Sequence, residues 1–512
     1  MIKRILFIVR PSACLGTCFA MMLAAAVGTC QSVTTAPPAV PISSSGTSAG
    51  LKTEIQKLIS KADLNCLACV YVRDTSGTQP LVDLDGETPV APASNNKLVT
   101  TAAGLTLLGA DYESTTSIYR SGPIENGVLK GDLVIEGTGD PAISGRFTKD
   151  KHDSTIWLRQ WAKELHDGGV KEIDGNIVAD DSFFDDQYFS PDWYPQERGE
   201  WYEAEVSALS LNDACVDLAL SGEGKLPGDS AAIELTPQTK YVTIDNQIKI
   251  AAKGRATERY YRRDANSNEI LATGTLTVGS SHRDYATVHD PALFLVTVFS
   301  EALTSEGIVV KGKPVKGRGA AKNLSHDQLL IQHKSQPLSE IVKVINLVSH
   351  NLYAETVGKT LGRVVKGEGS FAAGARTVEE FCRTHNIYHK GHHVVDGCGL
   401  SNKDRVTCHQ LVDVLHFMDN HKNRNVWRES LPQGGVCGSL VVRFQETSET
   451  RALASRILGK TGLIGGVRSM TGIITNSSGH EVYYSIILNH LENGDAGIKL
   501  IDQIAYAIAR SN

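Results

Sequence analysis

The sequence predicts an α/β protein of the α+β kind, in which helices flank one antiparallel sheet and a long β-rich insertion interrupts it. Two observations predict this fold. Helix and strand patterns occur at both ends of the region after residue 50, as expected when the two ends of a chain share one sheet. The interval between Lys97 and Ser349 is far longer than a connecting loop, so it must contain folded material.

The first elements follow from hydrophobic spacing. Apolar residues recur at helical intervals from Leu51 to Ile59 and predict an amphipathic helix over Leu51–Asp63. Alternating and β-branched residues then predict a hairpin, Cys66–Arg73 with Gln79–Leu84. A second helix follows, Leu98–Leu108.

The last part of the chain returns to strands and helices. Two helical patterns, Leu338–Val348 and Leu352–Leu361, precede it. Three strands and a closing helix are predicted next: Lys460–Gly466, Ser469–Thr475, Glu481–Leu488 and Ile498–Arg510. Together with the first hairpin they would form one antiparallel sheet, which brings the start and the end of the chain into one domain.

The long interval is rich in strand patterns punctuated by Gly and Asp. The predicted strands are Leu133–Glu136, Gly175–Ala179, Asp217–Leu220, Tyr241–Ile244, Ile248–Ala251 and Leu271–Val278. Insertion from a surface loop leaves the parent domain intact, because the inserted chain leaves and returns at neighbouring points.

Composition and the N-terminus indicate an exported protein. The net charge is −6 with no long basic run, which argues against a nucleic-acid partner. Residues 1–30 read as a signal peptide, with basic residues before the apolar run Ala13–Val27, and residues 31–50 read as a Ser/Thr/Pro-rich tether. Two alternatives stay open: cleavage after Gly28, or a lipoprotein box that leaves Cys30 acylated and the protein lipid-anchored.

Three short motifs carry candidate chemistry: Ser94-x-x-Lys97, Ser349-x-Asn351 and Lys460-Thr461-Gly462. A serine hydroxyl needs a neighbouring base to become a nucleophile. Lysine can be that base when burial and nearby positive charge lower its pKa. Residues three apart on a helix lie on one face, and a hydroxyl at a helix N-terminus meets free N–H groups. The motifs therefore predict an acyl-transfer site.

These motifs resemble those of the serine penicillin-recognising enzymes. Three further segments are similar to the penicillin-binding-protein-4-type D-alanyl-D-alanine carboxypeptidases/endopeptidases, the low-molecular-mass class C group: Gly137–Pro141, Asp396–Ser401 and Leu431–Gly438. The resemblance implies a serine β-lactamase/transpeptidase-like domain with two nested, β-rich insert domains. It divides the chain into a catalytic domain (51–111 and 285–512), a first insert domain (112–215 and 270–284) and a nested second insert domain (216–269).

The resemblance also implies a role for each motif residue. Ser94 would be the nucleophile, Lys97 its base, Ser349 a proton relay and Asn351 a ligand of both Lys97 and the substrate amide. Lys460 would keep Lys97 poised and, with Thr461, bind a terminal carboxylate, while Gly462 would let the substrate backbone approach. The N–H groups of Ser94 and Leu463 would bind the oxyanion. No cofactor or metal is expected.

The implied partners are peptidoglycan stem peptides and cross-links in the periplasm, with β-lactams as covalent inhibitors. His350 stands where many relatives carry Asp and receives no role. Leu463 replaces a frequent hydroxyl residue, which leaves the third residue of the stem peptide undetermined. Cys398 and Cys437 lie in glycine-flanked loops of this region, and we expect them to form a disulfide.

Other residues have two readings. Trp193 and Trp201 would line a binding wall or, as we favour, fill the core between domains. Asp180 and Phe184 follow a strand and could hold a peptide side chain. Cys66 and Cys69 lie on an apparent strand and are expected to be inert.

Rival functions remain at this point. A β-lactamase shares the three motifs, although its compact fold has no room for inserted domains; a transpeptidase would need an anchor or a large N-terminal module. A metal-binding or structural exported protein is suggested by the histidines at 385, 389, 392 and 393. A non-catalytic wall-binding protein would not need an intact nucleophile and base.

Overall fold

The computed structural model describes residues 48–255 and 257–512. The predicted signal peptide and most of the predicted tether therefore lie outside the described residues. The described α-helices are α1 (Ser48–Ala62), α2 (Asn96–Leu107), α3 (Ile156–Asp167), α4 (Pro291–Ser305), α5 (Leu338–Leu347), α6 (Asn351–Lys366), α7 (Phe371–Thr384), α8 (Cys408–Asp419), α9 (Arg424–Glu429), α10 (Ser448–Ala454) and α11 (Gly494–Arg510). None of them is both long and apolar enough to cross a bilayer.

Twenty strands are present in the same part of the chain. They are β1 (Leu67–Asp74), β2 (Pro80–Leu84), β3 (Thr115–Arg120), β4 (Ile124–Glu125), β5 (Val128–Leu129), β6 (Leu133–Gly137), β7 (Glu172–Ile173), β8 (Ile177–Asp180), β9 (Cys215–Ser221), β10 (Ala232–Thr236), β11 (Thr243–Ala251), β12 (Arg259–Arg262), β13 (Glu269–Thr277), β14 (Ser281–Thr287), β15 (Val309–Val310), β16 (Pro314–Lys316), β17 (Leu329–Lys334), β18 (Ile457–Ile464), β19 (Val467–Thr475) and β20 (Glu481–Asn489).

The two ends of the chain share one sheet, as predicted. Its order is β18-β19-β20-β1-β2, and every neighbouring pair is antiparallel. Side chains alternate between its faces: Val70 and Ile486 pack with α11 on one face, while Cys69 and Ile487 join the helical core around α2 and α8 on the other. The expected α+β arrangement is confirmed.

The long interval folds into four further sheets within the described residues. Their orders are β16-β8-β6-β3-β17, β15-β7-β5-β4, β10-β9-β14 and β11-β13-β12. One hydrophobic core with α3 and α4 lies among them. The predicted strands Tyr241–Ile244 and Ile248–Ala251 merge into one strand, β11, which begins at Thr243, because its backbone pairs with β13 without a break.

Strand pairing bears on where the insertion ends. β15, β16 and β17 pair with β7, β8 and β3, and α4 packs against β8 and β16. Residues 291–334 thus share sheets and core with the insertion, although they had been assigned to the catalytic domain from residue 285. We propose that the chain returns to the catalytic domain close to α5.

Candidate active site

Ser94 lies in a 3₁₀ turn, Ala93–Asn95, immediately before α2. Ala93 has a φ of 49°, a left-handed conformation that is uncommon for alanine and that surrounding contacts must hold. Ser94 is partly exposed, whereas Lys97, on the first turn of α2, is fully buried. The Ser94 hydroxyl therefore lies at the N-terminal end of α2, next to the buried Lys97 amine.

The Lys97 amine contacts three oxygen atoms. Its Nζ lies 3.0 Å from Ser94 Oγ, 2.7 Å from Asn351 Oδ1 and 2.7 Å from the Cys398 carbonyl oxygen. The amide and carbonyl oxygens can only accept hydrogen bonds. A neutral amine that donates its two hydrogens to them has its lone pair directed at the Ser94 hydroxyl, which is the arrangement that a general base needs.

Burial lowers the pKa of both site lysines. It lowers the pKa of Lys97, against the opposing effects of Cys398, Asp396 and Glu355. Burial, and then the charge of Lys97, hold the pKa of Lys460 well below its ordinary range. Desolvation is therefore the first cause of the lowered pKa of each lysine.

Ser349 lies in the turn between α5 and α6 and meets Lys460. The Nζ of Lys460 is 2.8 Å from Ser349 Oγ and 2.6 Å from the Thr461 carbonyl oxygen. Ser349 has a φ of 61°, so its backbone is left-handed as well. Asn351 begins α6 and contacts Lys97, which means that one turn supplies a partner to each lysine.

Gly462 allows β18 to lie against the nucleophile turn. A Cβ at this position would be 2.2 Å from Ser469 Oγ, 2.9 Å from the Pro92 carbonyl oxygen and 3.0 Å from the Ser94 nitrogen. A side chain there would push the strand away from Ser94. Close approach of the protein's own backbone thus explains this glycine, and access for a substrate is a second possible use.

Thr461, the residue before Gly462, contacts a hydroxyl from another turn. Thr461 Oγ1 lies 2.8 Å from Ser439 Oγ, which belongs to the 3₁₀ turn Gly438–Leu440. Thr461 and Leu463 are both half-buried. The sequence interpretation did not assign a role to Ser439, which lies directly after the segment Leu431–Gly438 and gave no sign of its contact.

Glu355 and Asp396 form a second layer that the sequence interpretation missed. Glu355 accepts hydrogen bonds from the N–H groups of Gly397 (3.0 Å) and Cys398 (2.6 Å). Asp396 accepts from the N–H groups of Gly399 (2.6 Å) and Ser401 (2.7 Å). These bonds fix the loop whose Cys398 carbonyl faces Lys97. The available signal was the spacing of Glu355, one helical turn after Asn351.

Comparison with known proteins shows which family the chain belongs to. The sequence model of the D-Ala-D-Ala carboxypeptidase 3 (S13) family matches residues 51–510. The chain belongs to this family. A D-alanyl-D-alanine carboxypeptidase of Actinomadura sp. (strain R39) is 31% identical over 93% of this chain and 87% of its own length.

Solved structures show the same fold for this S13 family member. The crystal structure of penicillin binding protein 4 (DacB) from Haemophilus influenzae superposes with a TM-score of 0.75 at 23% identity, over 88% of this chain and 97% of that one. The same protein complexed with a β-lactam gives a TM-score of 0.71 at 22% identity, over 88% and 98%. The expected family and fold are confirmed.

The predicted Cys398–Cys437 disulfide is wrong. Cys398 is a free, fully buried thiol 3.7 Å from Asp396 Oδ1, and Cys437 is disulfide-bonded to a different cysteine. Cys398, Glu355 and Asp396 place one ligand atom each within 4.8 Å of the others. Since both carboxylates already accept backbone N–H groups, this cluster serves the loop. Cys69 is buried and Cys66 half-buried, and both thiols are free.

The remaining candidates make structural contacts. Trp193 is buried and donates from Nε1 to Asp396 Oδ2 at 2.9 Å, so it joins the insertion to the site loop. Asp180 accepts from the N–H groups of residues 319 and 321, and Phe184 is 2% exposed, so neither is free to hold a peptide side chain. His389 lies between Glu87 and Asp413.

Proposed function

We propose that this S13 family member hydrolyses the terminal D-Ala-D-Ala bond of peptidoglycan stem peptides through an ester on Ser94. The observation that carries the proposal is the amine of Lys97, which two fixed acceptors, Asn351 Oδ1 and the Cys398 carbonyl, direct at Ser94 Oγ. The family membership of the chain supports the same reaction.

Acylation begins when neutral Lys97 takes the Ser94 proton and Oγ attacks the carbonyl carbon of the scissile bond. The N–H groups of Ser94 and Leu463 hold the oxyanion. They can act together because Gly462, the residue before Leu463 on β18, packs against the Ser94 nitrogen. The amine of D-alanine needs a proton to leave. Ser349 Oγ delivers it, and the bonded Lys460 replaces that proton. D-alanine departs as the ester forms.

The terminal carboxylate of the substrate binds to the Lys460 and Thr461 end of β18. The bound carboxylate favours the protonated form of Lys460, which then supplies the positive charge, and the hydroxyls of Thr461 and Ser439 supply donors. Once the proton held by Lys97 has passed to Lys460, water attacks the ester and neutral Lys97 is again the base. Lys97 then returns the water proton to Ser94 Oγ as the shortened peptide leaves, which regenerates both groups. A cross-linking D-Ala peptide bond presents the same carbonyl, so endopeptidase cleavage follows the same route.

A β-lactam ring carries a carboxylate next to a strained amide and would acylate Ser94 in the same way. The complex of the Haemophilus influenzae relative with a β-lactam supports this expectation. The substrate places the enzyme outside the cytoplasmic membrane, and we propose a periplasmic location. Acylation of Cys30, which lies outside the described residues, would add a lipid anchor.

Labelling with a fluorescent penicillin tests the proposal. We expect a stable covalent adduct and D-alanine release from a D-Ala-D-Ala peptide for the wild type, and neither for Ser94→Ala. Ser478→Ala, which changes an exposed turn serine, is the matched control and should behave as the wild type. Labelling that persists in Ser94→Ala refutes the nucleophile, and an adduct hydrolysed within seconds indicates a β-lactamase.

A further inference from the structure

His350, the central residue of the Ser349-x-Asn351 motif, faces the insertion. Its side chain is almost fully buried, and Nε2 lies 3.1 Å from Asp213 Oδ2. Asp213 also accepts a hydrogen bond from Arg146. Burial alone would raise the pKa of Asp213, but Arg146 and His350 outweigh it and hold that pKa low. The carboxylate stays ionised, so Nε2 carries a proton and donates it.

The histidine and the aspartate belong to a closed set of contacts. Arg146 donates from Nε to the Tyr353 hydroxyl at 3.1 Å. The Tyr353 ring centroid lies 4.4 Å from that of His350, and Trp201 covers another side at 5.7 Å. His350 and Tyr353 stand at the start of α6, whereas the other three residues come from the insertion. The set therefore ties the catalytic turn to the insertion.

Both ends of the His350–Asp213 bond lie in strained turns. Ser349 has a φ of 61°, and Asp213 has a φ of 58°. Left-handed residues other than glycine persist only where neighbouring contacts over-determine them. A second tie runs alongside, because Asn351 Nδ2 donates to the Tyr202 carbonyl oxygen at 2.8 Å. The insertion thus holds the turn on both sides of His350.

We propose that His350 is a positioning residue for acyl transfer, which rests on the function proposed above. Its bond to Asp213 keeps Ser349 Oγ against Lys460 and, through the same turn, Asn351 Oδ1 against Lys97. Through these contacts the insertion helps to set the geometry of the catalytic centre. Removal of the bond frees the strained turn and misaligns the relay without removing a reacting group.

Two substitutions at one position test the bond. His350→Leu removes the donor, and His350→Gln keeps an N–H close to the place of Nε2. We expect the acylation rate constant for penicillin and kcat for D-alanine release to fall about 10- to 100-fold in His350→Leu, the size of one lost hydrogen bond to an ionised group. KM should change by less than about threefold, and His350→Gln should recover most of the rate.

The control is His389→Leu, which removes another contact between histidine and carboxylates, away from the cleft. It should acylate as the wild type. Each rate is divided by the amount of protein that labels to completion, so unfolded protein in the sample does not change the measured rate. If His350→Leu does not fold, Asp213→Asn, which keeps the size but not the charge, must slow acylation.

Two failures are distinguishable. An unlabelled wild type refutes the proposed function itself. A labelled wild type with His350→Leu acylating at the same rate refutes the role of His350 alone. Equal losses in His350→Leu and His350→Gln would show that the bond to Asp213 is not the cause.

Discussion

Replacement of Glu355 by glutamine separates its charge from its shape. Glu355 is fully buried, and burial followed by the nearby charge of Asp396 raises its pKa from 4.5 to about 7. A carboxyl group with a raised pKa in the folded state holds a proton that the unfolded chain has lost. Its contribution to stability is complete below pH 4.5 and disappears as the pH rises through about 7.

The size of this contribution follows from the two pKa values. At about 1.4 kcal/mol per pH unit, the interval corresponds to about 3 kcal/mol between pH 4.5 and pH 8. Glutamine is neutral throughout, so the wild type should lose this stability relative to Glu355→Gln as the pH rises. In a domain of roughly 150–250 residues, 1 kcal/mol shifts Tm by roughly 2–4 °C, so the relative shift in Tm should be about 6–12 °C.

Differential scanning calorimetry of both proteins at pH 4.5 and pH 8 measures the shift. The exposed Glu492 provides the control, because Glu492→Gln should keep a constant difference from the wild type at both pH values. Activity gives a second readout. Glutamine can accept only one of the two N–H groups of Gly397 and Cys398, so the loop loosens and acylation should fall about tenfold. If the Tm difference between the wild type and Glu355→Gln does not depend on pH, the raised pKa of Glu355 is refuted.

Three further outcomes are expected. The acylation rate should fall roughly tenfold per pH unit below the lowered pKa of Lys97, because only the neutral amine is a base; stopped-flow labelling across pH 5–9 measures it, and a flat profile contradicts the base. Ser439→Ala should raise KM about fivefold with little change in kcat, since it removes one hydroxyl contact to Thr461. Cys398→Ala should acylate within about threefold of the wild type, because its carbonyl still faces Lys97; a larger loss would give the thiol a role.

Local spacing made part of the site predictable. Ser94 lies three residues before Lys97, in the turn that leads into α2, and this short spacing brings the two side chains together in any fold. The sheet shared by both chain ends followed from alternating strands and amphipathic helices. The pairing of these two residues with Ser349 and Lys460 rested on motif order and on the resemblance.

Contacts between distant segments were beyond the sequence. Glu355 binds the N–H groups of a loop that lies over forty residues later, and no spacing rule links them. The disulfide expectation failed because cysteines in similar loops carry no information on their separation. His350 received no role, since its partner Asp213 lies in the insertion. The sequence also did not reveal that residues 291–334 share sheets with the insertion, because the sheet of a short strand such as β15 is known only from its pairing partner.

The sheet that joins β1 to β20 has a consequence for synthesis and export. A ribosome releases the Ser94 helix early and the strand with Lys460 almost last, while the intervening segment can fold in the meantime. Until that strand inserts beside the helix, neither Lys460 nor the backbone at Gly462 lies near Ser94 and Ser349. A chain that has not yet added β18 to this sheet therefore lacks part of the proposed site.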